Sequence, residues 1–325
     1  MLFTSPRHEI ETIIFKRILT LKSLGAAHRG YNYQDLVTAC HFALALVGDF
    51  ESITVDRKFF DQDRFDDLTL QKNTGIFRRQ IKSSENDDVY FELKHLTTKY
   101  RDLKIDELIR GFKNQDDTVA EYRLCATWKP PFDELAALLC HSEASPTFVD
   151  FPTKLFRLNS EAIWAEEQNP IWECLVKSND ITRDDFLAFA ERFVIELEFP
   201  QASTDIMVPG RLETILLDLL TNSVGIGRYP NHTRNPVDVA AQFIQFASRA
   251  RAQNKTVSPS EIESAIQLRK DFGRVAQEFP VEKTIKVQRP DLQSSLKSSL
   301  DNARVLLIGT PGSEHLCMHR LLIYG

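Results

Sequence analysis

Asp67, Gln80 and Lys82 are the residues whose types and spacing best suit a definite chemistry. They lie in Phe65-Asp66-Asp67-Leu68-Thr69-Leu70 and, thirteen residues beyond Asp67, in Gln80-Ile81-Lys82. Both stretches read as strands, along which side chains alternate faces. Asp67 and Thr69 then point away from Leu68 and Leu70, while Gln80 and Lys82 point away from Ile81. If the two strands are hairpin neighbours, a carboxylate, an amide oxygen and an ammonium converge on one patch. Phosphodiester hydrolysis needs such a group. Oxygen ligands suit Mg²⁺, the cation polarises phosphate and lowers the pKa of its water, and an ammonium stabilises developing charge. The same three residues on a solvated strand face would need no function at all. Asp66 is the alternative acid: its parity sets it with Leu68 on the core-facing side, or else it belongs to a turn. Asp56, Asp61, Asp63 and Glu51 read as solvated, or one of them supplies a missing ligand.

The elements that must position these residues follow from periodicity. Ile10, Ile13, Ile14, Ile18 and Leu21 have helical spacing and give a leading helix within 8–24. A better-marked helix starts near Gly30, with Tyr33, Leu36, Val37, Cys40, Leu44 and Val47 on one side. Gln34, Thr38 and His41 form a neighbouring, more polar stripe. Strand character follows at 51–58, 65–72 and 75–83, with Lys72-Asn73-Thr74-Gly75 as a hairpin turn. A long charged helix is expected over 91–114, then a buried strand at 122–128 stopped by Pro130-Pro131. The order is αβββαβ, and it places Gln34 on a helix face that can look into the Asp67 patch. Lys94, Lys99, Arg101, Lys104, Arg110 and Lys113 could track a nucleic-acid backbone. They share their helix with Glu92, Asp102, Asp106 and Glu107, as a solvated face would.

From about Trp164 the pattern turns helical. Thr182 with Asp185 forms a capping-box pattern ahead of Phe186, Phe189 and Phe193. Ser258, Pro259 and Glu261 open another helix, and Gly273 stands where a C′ glycine belongs.

Composition bounds the class. The chain has 325 residues, 42% hydrophobic and 26% charged, with a formal net charge of -6. These shares fit a soluble globular protein and exclude collagen-like, low-complexity and disordered chains. The length suggests two or more domains. No apolar run reaches the ~18 residues a membrane span needs, and acids interrupt the apolar N-terminal stretch as they would not in a secretory signal. The cytoplasm is the default expectation. Five widely spaced cysteines without a C-x-x-C pair argue for free thiols rather than a disulfide framework or a zinc knuckle.

The order of elements and the D-x(12)-Q-x-K pattern resemble the PD-(D/E)XK nuclease superfamily. More closely, Arg29-Gly30 with Tyr33-Gln34, Asp66-Asp67-Leu68 and Gln80-Ile81-Lys82 resemble the N-terminal double-stranded-DNA endonuclease domains of bacterial antiphage defence proteins. The likeness spans about residues 25–128. It implies a restriction-endonuclease-like α/β (α+β) core of αβββαβ order, followed by a mainly α-helical domain. It also implies Asp67 as the metal-binding acid, Gln80 at the (D/E) position, Lys82 as the lysine and Gln34 as the helix residue bordering the site. Mg²⁺ or Mn²⁺ would be held by Asp67, Gln80 and the Ile81 carbonyl. Gln80 departs from the pattern, because a neutral amide replaces a carboxylate. The implied activity is Mg²⁺-dependent cleavage of double-stranded DNA with little sequence specificity. A homo-oligomer is expected, since cutting both strands needs two active sites or one used twice. The competing expectation is a catalytically degenerate nucleic-acid-binding or assembly module that regulates a full-length NTPase.

Residues 305–313, a hydrophobic strand entering Gly309-Thr310-Pro311-Gly312-Ser313, look like the front of a P-loop. The G-K-[ST] positions of that loop hold Glu314, His315 and Leu316 instead, and Glu314 would set negative charge against phosphate. No ATP or GTP hydrolysis is expected. The resembling nuclease domains commonly head STAND-type NTPases, so the implied division is a leading helix (1–24), the nuclease-like domain (25–160), a helical connector (161–290) and an NTPase remnant (291–325) cut off within the P-loop. His315, Cys317 and His319 in the tail alternate by chance on this reading.

Overall fold

The computed structural model describes residues 29–269, except positions 62, 85, 87, 115–117, 166–168, 204–207 and 229. The leading helix, Gly273, the P-loop-like stretch and the tail histidines lie outside the described residues. The described residues through Arg228, with His232–Gln267, form one compact unit that holds every element below.

Helix α1 spans 29–46. Its apolar side, including Leu36, Val37 and Cys40, is buried. The polar stripe is buried too. Thr38 Oγ1 and the His41 ring bond back to the carbonyls of Gln34 and Val37, at 2.8 and 2.9 Å. These i−4 bonds satisfy the Thr38 hydroxyl and one ring nitrogen of His41 inside the helix itself, while His41 Nε2 is buried without a hydrogen-bond partner among the described residues. The Gln34 amide reaches outward.

Eight strands form one sheet: β1 (Ser52–Val55), β2 (Leu68–Lys72), β3 (Gly75–Lys82), β4 (Val119–Ala126), β5 (Leu139–His141), β6 (Lys154–Leu158), β7 (Phe193–Leu197) and β8 (Thr256–Val257). Their order is β5-β6-β7-β4-β3-β2-β1-β8. The β3–β4 and β4–β7 pairs are parallel and the others antiparallel. The hairpin lies where the sequence sets it: Lys72 pairs with Gly75, whose φ of +136° suits a glycine. The strand order β1-β2-β3 followed by a helix and β4 matches the αβββαβ expectation, and the architecture is α+β.

Three readings are corrected. The single helix over 91–114 is broken into α2 (Leu93–Thr97), a 3₁₀ turn at Tyr100–Asp102 and α3 (Ile105–Lys113). Thr98 turns extended and bonds its hydroxyl to the Lys94 carbonyl at 2.6 Å, and Asp102 adopts a left-handed φ of +57°. The break lets Leu96, Leu103, Ile105 and Ile109 all be buried. Phe193 does not continue the helix of Phe186 and Phe189. Helix α6 (Arg183–Arg192) ends before it, and Phe193 opens β7 opposite Tyr122. Asp63 is not solvated but almost wholly buried against Arg78.

The segment read as helical thus places β7 in the middle of the sheet, alongside α4 (Ser160–Ala165), α5 (Pro170–Lys177), α6, α7 (Arg211–Asp218), α8 (Pro236–Ala252) and α9 (Pro259–Ile266). The Thr182–Asp185 and Ser258–Glu261 capping boxes are both formed.

On one sheet face Tyr122, Leu124, Phe193 and Ile195 join residues of α3 and α6, including Ile109 and Phe189, in the main core. On the other face, buried Glu196 accepts from Arg123 at 2.8 Å, the Thr147 amide at 2.8 Å and Thr153 at 2.9 Å. Five of the basic residues that could track a nucleic-acid backbone are paired with acids. Lys94 pairs with Glu92, Lys99 with Glu107, Lys104 with Asp106, Arg110 with Asp106 and Asp180, and Lys113 with Asp185. Asp106 is buried, so part of this segment faces inward rather than to solvent. Cys40, Cys125, Cys140 and Cys174 are free thiols, of which Cys140 is exposed.

Candidate metal-binding site

The β2–β3 ladder ends at Leu68 and Arg79. Beyond that pair the strands part, and the Asp67 carboxylate occupies the opening. Its Oδ2 accepts the Ile81 amide at 2.6 Å and Gln80 Nε2 at 2.7 Å. Its Oδ1 accepts Gln34 Nε2 at 3.3 Å from α1. The carboxylate therefore takes the place of the ladder partner that Ile81 would otherwise lack. On the far side, the Asp67 carbonyl accepts the Asp56 amide at 2.9 Å.

The structure thus brings together Asp67 just before β2, Gln80 and Ile81 of β3 and Gln34 of α1. Lys82 is half-buried and shares its strand face with Gln80. Asp66 is not core-facing. It precedes β2, its side chain is 16% exposed, and it lies 3.9 Å from Lys58.

Burial pushes the Asp67 carboxyl up to about 7. The charge of Lys82 and the Ile81 amide pull the other way, and the neighbouring acids Asp66 and Asp56 reinforce burial. A carboxyl raised this far resists ionisation until a cation compensates it. The sign sets a testable effect. Without divalent metal, the folded state holds the Asp67 proton more tightly than the unfolded chain does. Asp67 therefore costs stability as pH rises from the ordinary carboxylate range through about 7. Asp67→Asn cannot ionise. In chelator at pH 8 it is expected to melt a few degrees above wild type, and at pH 5 the gap should shrink to under half. Equal melting at both pH values would remove the strained carboxylate.

The donor set fits a hard divalent cation. Gln80 spends its Nε2 on Asp67, and its Oε1 is buried with no hydrogen-bond partner among the described residues. An unmatched buried acceptor costs about 1–3 kcal/mol, which a bound cation would relieve. In an extended strand the N–H and C=O of one residue project from the same edge, so the Ile81 carbonyl is directed to the Asp67 side. Carboxylate, amide and carbonyl oxygens suit Mg²⁺ or Mn²⁺. Among the described residues no three His, Cys, Asp or Glu side chains group to hold a metal, so the donor set here joins the Asp67 carboxylate to neutral amide and carbonyl oxygens.

One supporting residue had no signal in the sequence. Asp63 accepts Arg78 Nη2 at 2.6 Å and the amides of Phe59 and Phe65, both at 3.1 Å. It fastens the loop that delivers Asp67 to the underside of β3. Only the β2–β3 register, which sets Thr69 opposite Arg78, could have hinted that a buried cation there needs an acid.

None of the protein-family models matches the sequence, nor does any curated protein. Among solved structures, the fold is similar to the Acinetobacter baumannii Cap4 SAVED/CARF-domain containing receptor with the cyclic trinucleotide 3′3′3′-cAAA. The TM-score is 0.39 at 13% identity, covering 73% of this chain and 44% of that one. The same receptor described without a ligand gives 0.38 at 14% identity, covering 73% and 46%. The chain spans less than half the length of the receptor it matches.

Proposed function

We propose that the protein is a metal-dependent DNA endonuclease of antiphage defence, with Asp67, Gln80, Ile81 and Lys82 as its active site. The observation that carries this reading is the Asp67 carboxylate held between Gln80 and Ile81, beside a buried Gln80 oxygen without a partner. The antiphage setting rests on the resemblance of the R-G-x-x-Y-Q, D-D-L and Q-x-K motifs.

When bound, Mg²⁺ or Mn²⁺ would supply Lewis acidity toward a phosphate oxygen and a more acidic water. Asp67, the Gln80 amide oxygen and the Ile81 carbonyl would hold it. Gln34 and the Ile81 amide fix the carboxylate by hydrogen bonds to both of its oxygens, so its orientation is set before substrate arrives. Lys82 carries an ammonium on the Gln80 face, where it favours the ionised form of Asp67 and would stabilise charge building on phosphate oxygens.

The test is nicking of supercoiled plasmid with Mg²⁺, with Mn²⁺ and in chelator, for wild type and Asp67→Ala. Metal-dependent nicking lost in Asp67→Ala is expected. Retained DNA binding without nicking under any metal would favour the non-catalytic binding module, to which the neutral Gln80 in place of a carboxylate also lends itself. The oligomer expectation is checked in the same assay. Cleavage should rise more steeply than linearly as the protein is concentrated, and strict proportionality would count against it.

A further inference from the structure

Two hydrogen-bonded routes lead from one short segment, residues 251–257 at the end of α8 and in β8, to opposite sides of Asp67. The first runs through α1. Arg251 Nε and Nη2 grip the two oxygens of Asp35 at 2.8 and 3.0 Å, and its guanidinium lies 4.5 Å from the centre of the Tyr31 ring. Asp35 is buried and directly follows Gln34, whose amide donates to Asp67 Oδ1. The second route runs through β1. The Val55 amide donates to the Lys255 carbonyl at 3.1 Å, and Thr54 and Thr256 share a 2.8 Å hydroxyl bond. The next residue, Asp56, donates its amide to the Asp67 carbonyl. One segment therefore sets α1 and β1 relative to each other at the point where both touch Asp67.

We propose that Arg251 is a positioning residue for this site: its fork on Asp35 fixes the placement of α1 at which Gln34 meets the Asp67 carboxylate. The proposal rests on the reading of Asp67 as the centre of the active site. Arg251 is 18% exposed and Asp35 4%, so charge attraction alone would hold Asp35 without orienting it, and loss of Arg251 leaves a nearly buried carboxylate unpaired. Two parallel N–H···O bonds, by contrast, define an orientation that a single point charge does not. Arg251 and Asp35 lie 216 residues apart in sequence, so the contact links distant parts of the chain at the site.

The experiment uses the full chain as wild type, Arg251→Ala, Arg251→Lys and Asp35→Asn, with Asp67→Ala as reference. Single-turnover cleavage, KM for DNA, Mn²⁺ affinity, melting temperature and amide exchange at Ile81 are measured. Arg251→Ala is expected to lower the cleavage rate by up to ~10²-fold, the scale for a misplaced active-site group. KM should change little, the melting temperature should fall because Asp35 is left buried and unpaired, and Ile81, whose amide is held by Asp67, should exchange faster. Arg251→Lys should recover little, because it keeps the charge and loses the fork. Full activity in Arg251→Lys, or an effect confined to KM, overturns the proposal. If Arg251→Ala does not fold, Asp35→Asn decides: an unchanged cleavage rate overturns the proposal. If wild type and Asp67→Ala are equally inactive, the nuclease reading has failed instead. The positioning role then stands or falls on Ile81 exchange, and unchanged protection in Arg251→Ala overturns it.

Discussion

Lys82→Ala is expected to bind Mn²⁺ much as wild type does, yet to cut DNA about 10²-fold more slowly, the cost of one lost electrostatic stabiliser. The separation follows from geometry. Metal donors are Asp67, Gln80 and the Ile81 carbonyl, whereas Lys82 is a cation that cannot ligate and acts on charge formed during reaction. Removing it leaves the donors in place. It also removes the charge that most favours ionised Asp67, so any change in Mn²⁺ binding should appear mainly at low pH. Asp67→Ala should abolish metal binding and cleavage together. Gln80→Glu adds a carboxylate beside Asp67 and should tighten Mn²⁺ binding. Mn²⁺ titration and plasmid cleavage across the three variants decide the matter. Wild-type cleavage by both Asp67→Ala and Lys82→Ala would move the active site elsewhere.

Asp63→Ala is expected to be the most destabilising single change near the site, costing about 3–5 kcal/mol. The Arg78 and Asp63 side chains are each only 1% exposed. Truncating the acid leaves a guanidinium in the interior with Thr69 as its remaining polar partner, at 3.3 Å. The amides of Phe59 and Phe65 also lose their acceptor. Against a total of roughly 5–15 kcal/mol for a folded domain, such a loss approaches unfolding. Pairing Asp63→Leu with Arg78→Met should recover only part of it. The buried charge is then gone, but the two backbone amides stay unmatched. Denaturant unfolding of the single and double variants checks this. A loss below about 1 kcal/mol in Asp63→Ala would show that solvent reaches the pair.

Much of the fold, and the meeting of Asp67 with Gln80 and Gln34, was legible in the chain. Alternation in 65–72 and 75–83, with Lys72-Asn73-Thr74-Gly75 between them, dictated a hairpin. The thirteen-residue spacing then set Asp67 against Gln80 across it. Helical spacing in α1 placed Gln34 toward the same point, and the boxes at Thr182 and Ser258 marked two helix starts. These are local signals: strand and helix periods, turn glycine and caps act within a few residues. Other features were decided by the tertiary structure alone. Phe193 fits the helical period of Phe186 and Phe189, but pairing with Tyr122 draws it into β7. Thr97–Leu103 interrupts a good charged helix because bending there buries Leu96, Leu103 and Ile105 together. Asp63 reads as one more surface acid until Arg78 meets it from the next strand. Arg251 meets Asp35 only after the chain has returned from 216 residues away. Nothing local marks such pairs, since their partners are chosen by burial and register across the whole sheet, and the cost of an unpaired buried charge then selects the acid or base that fits.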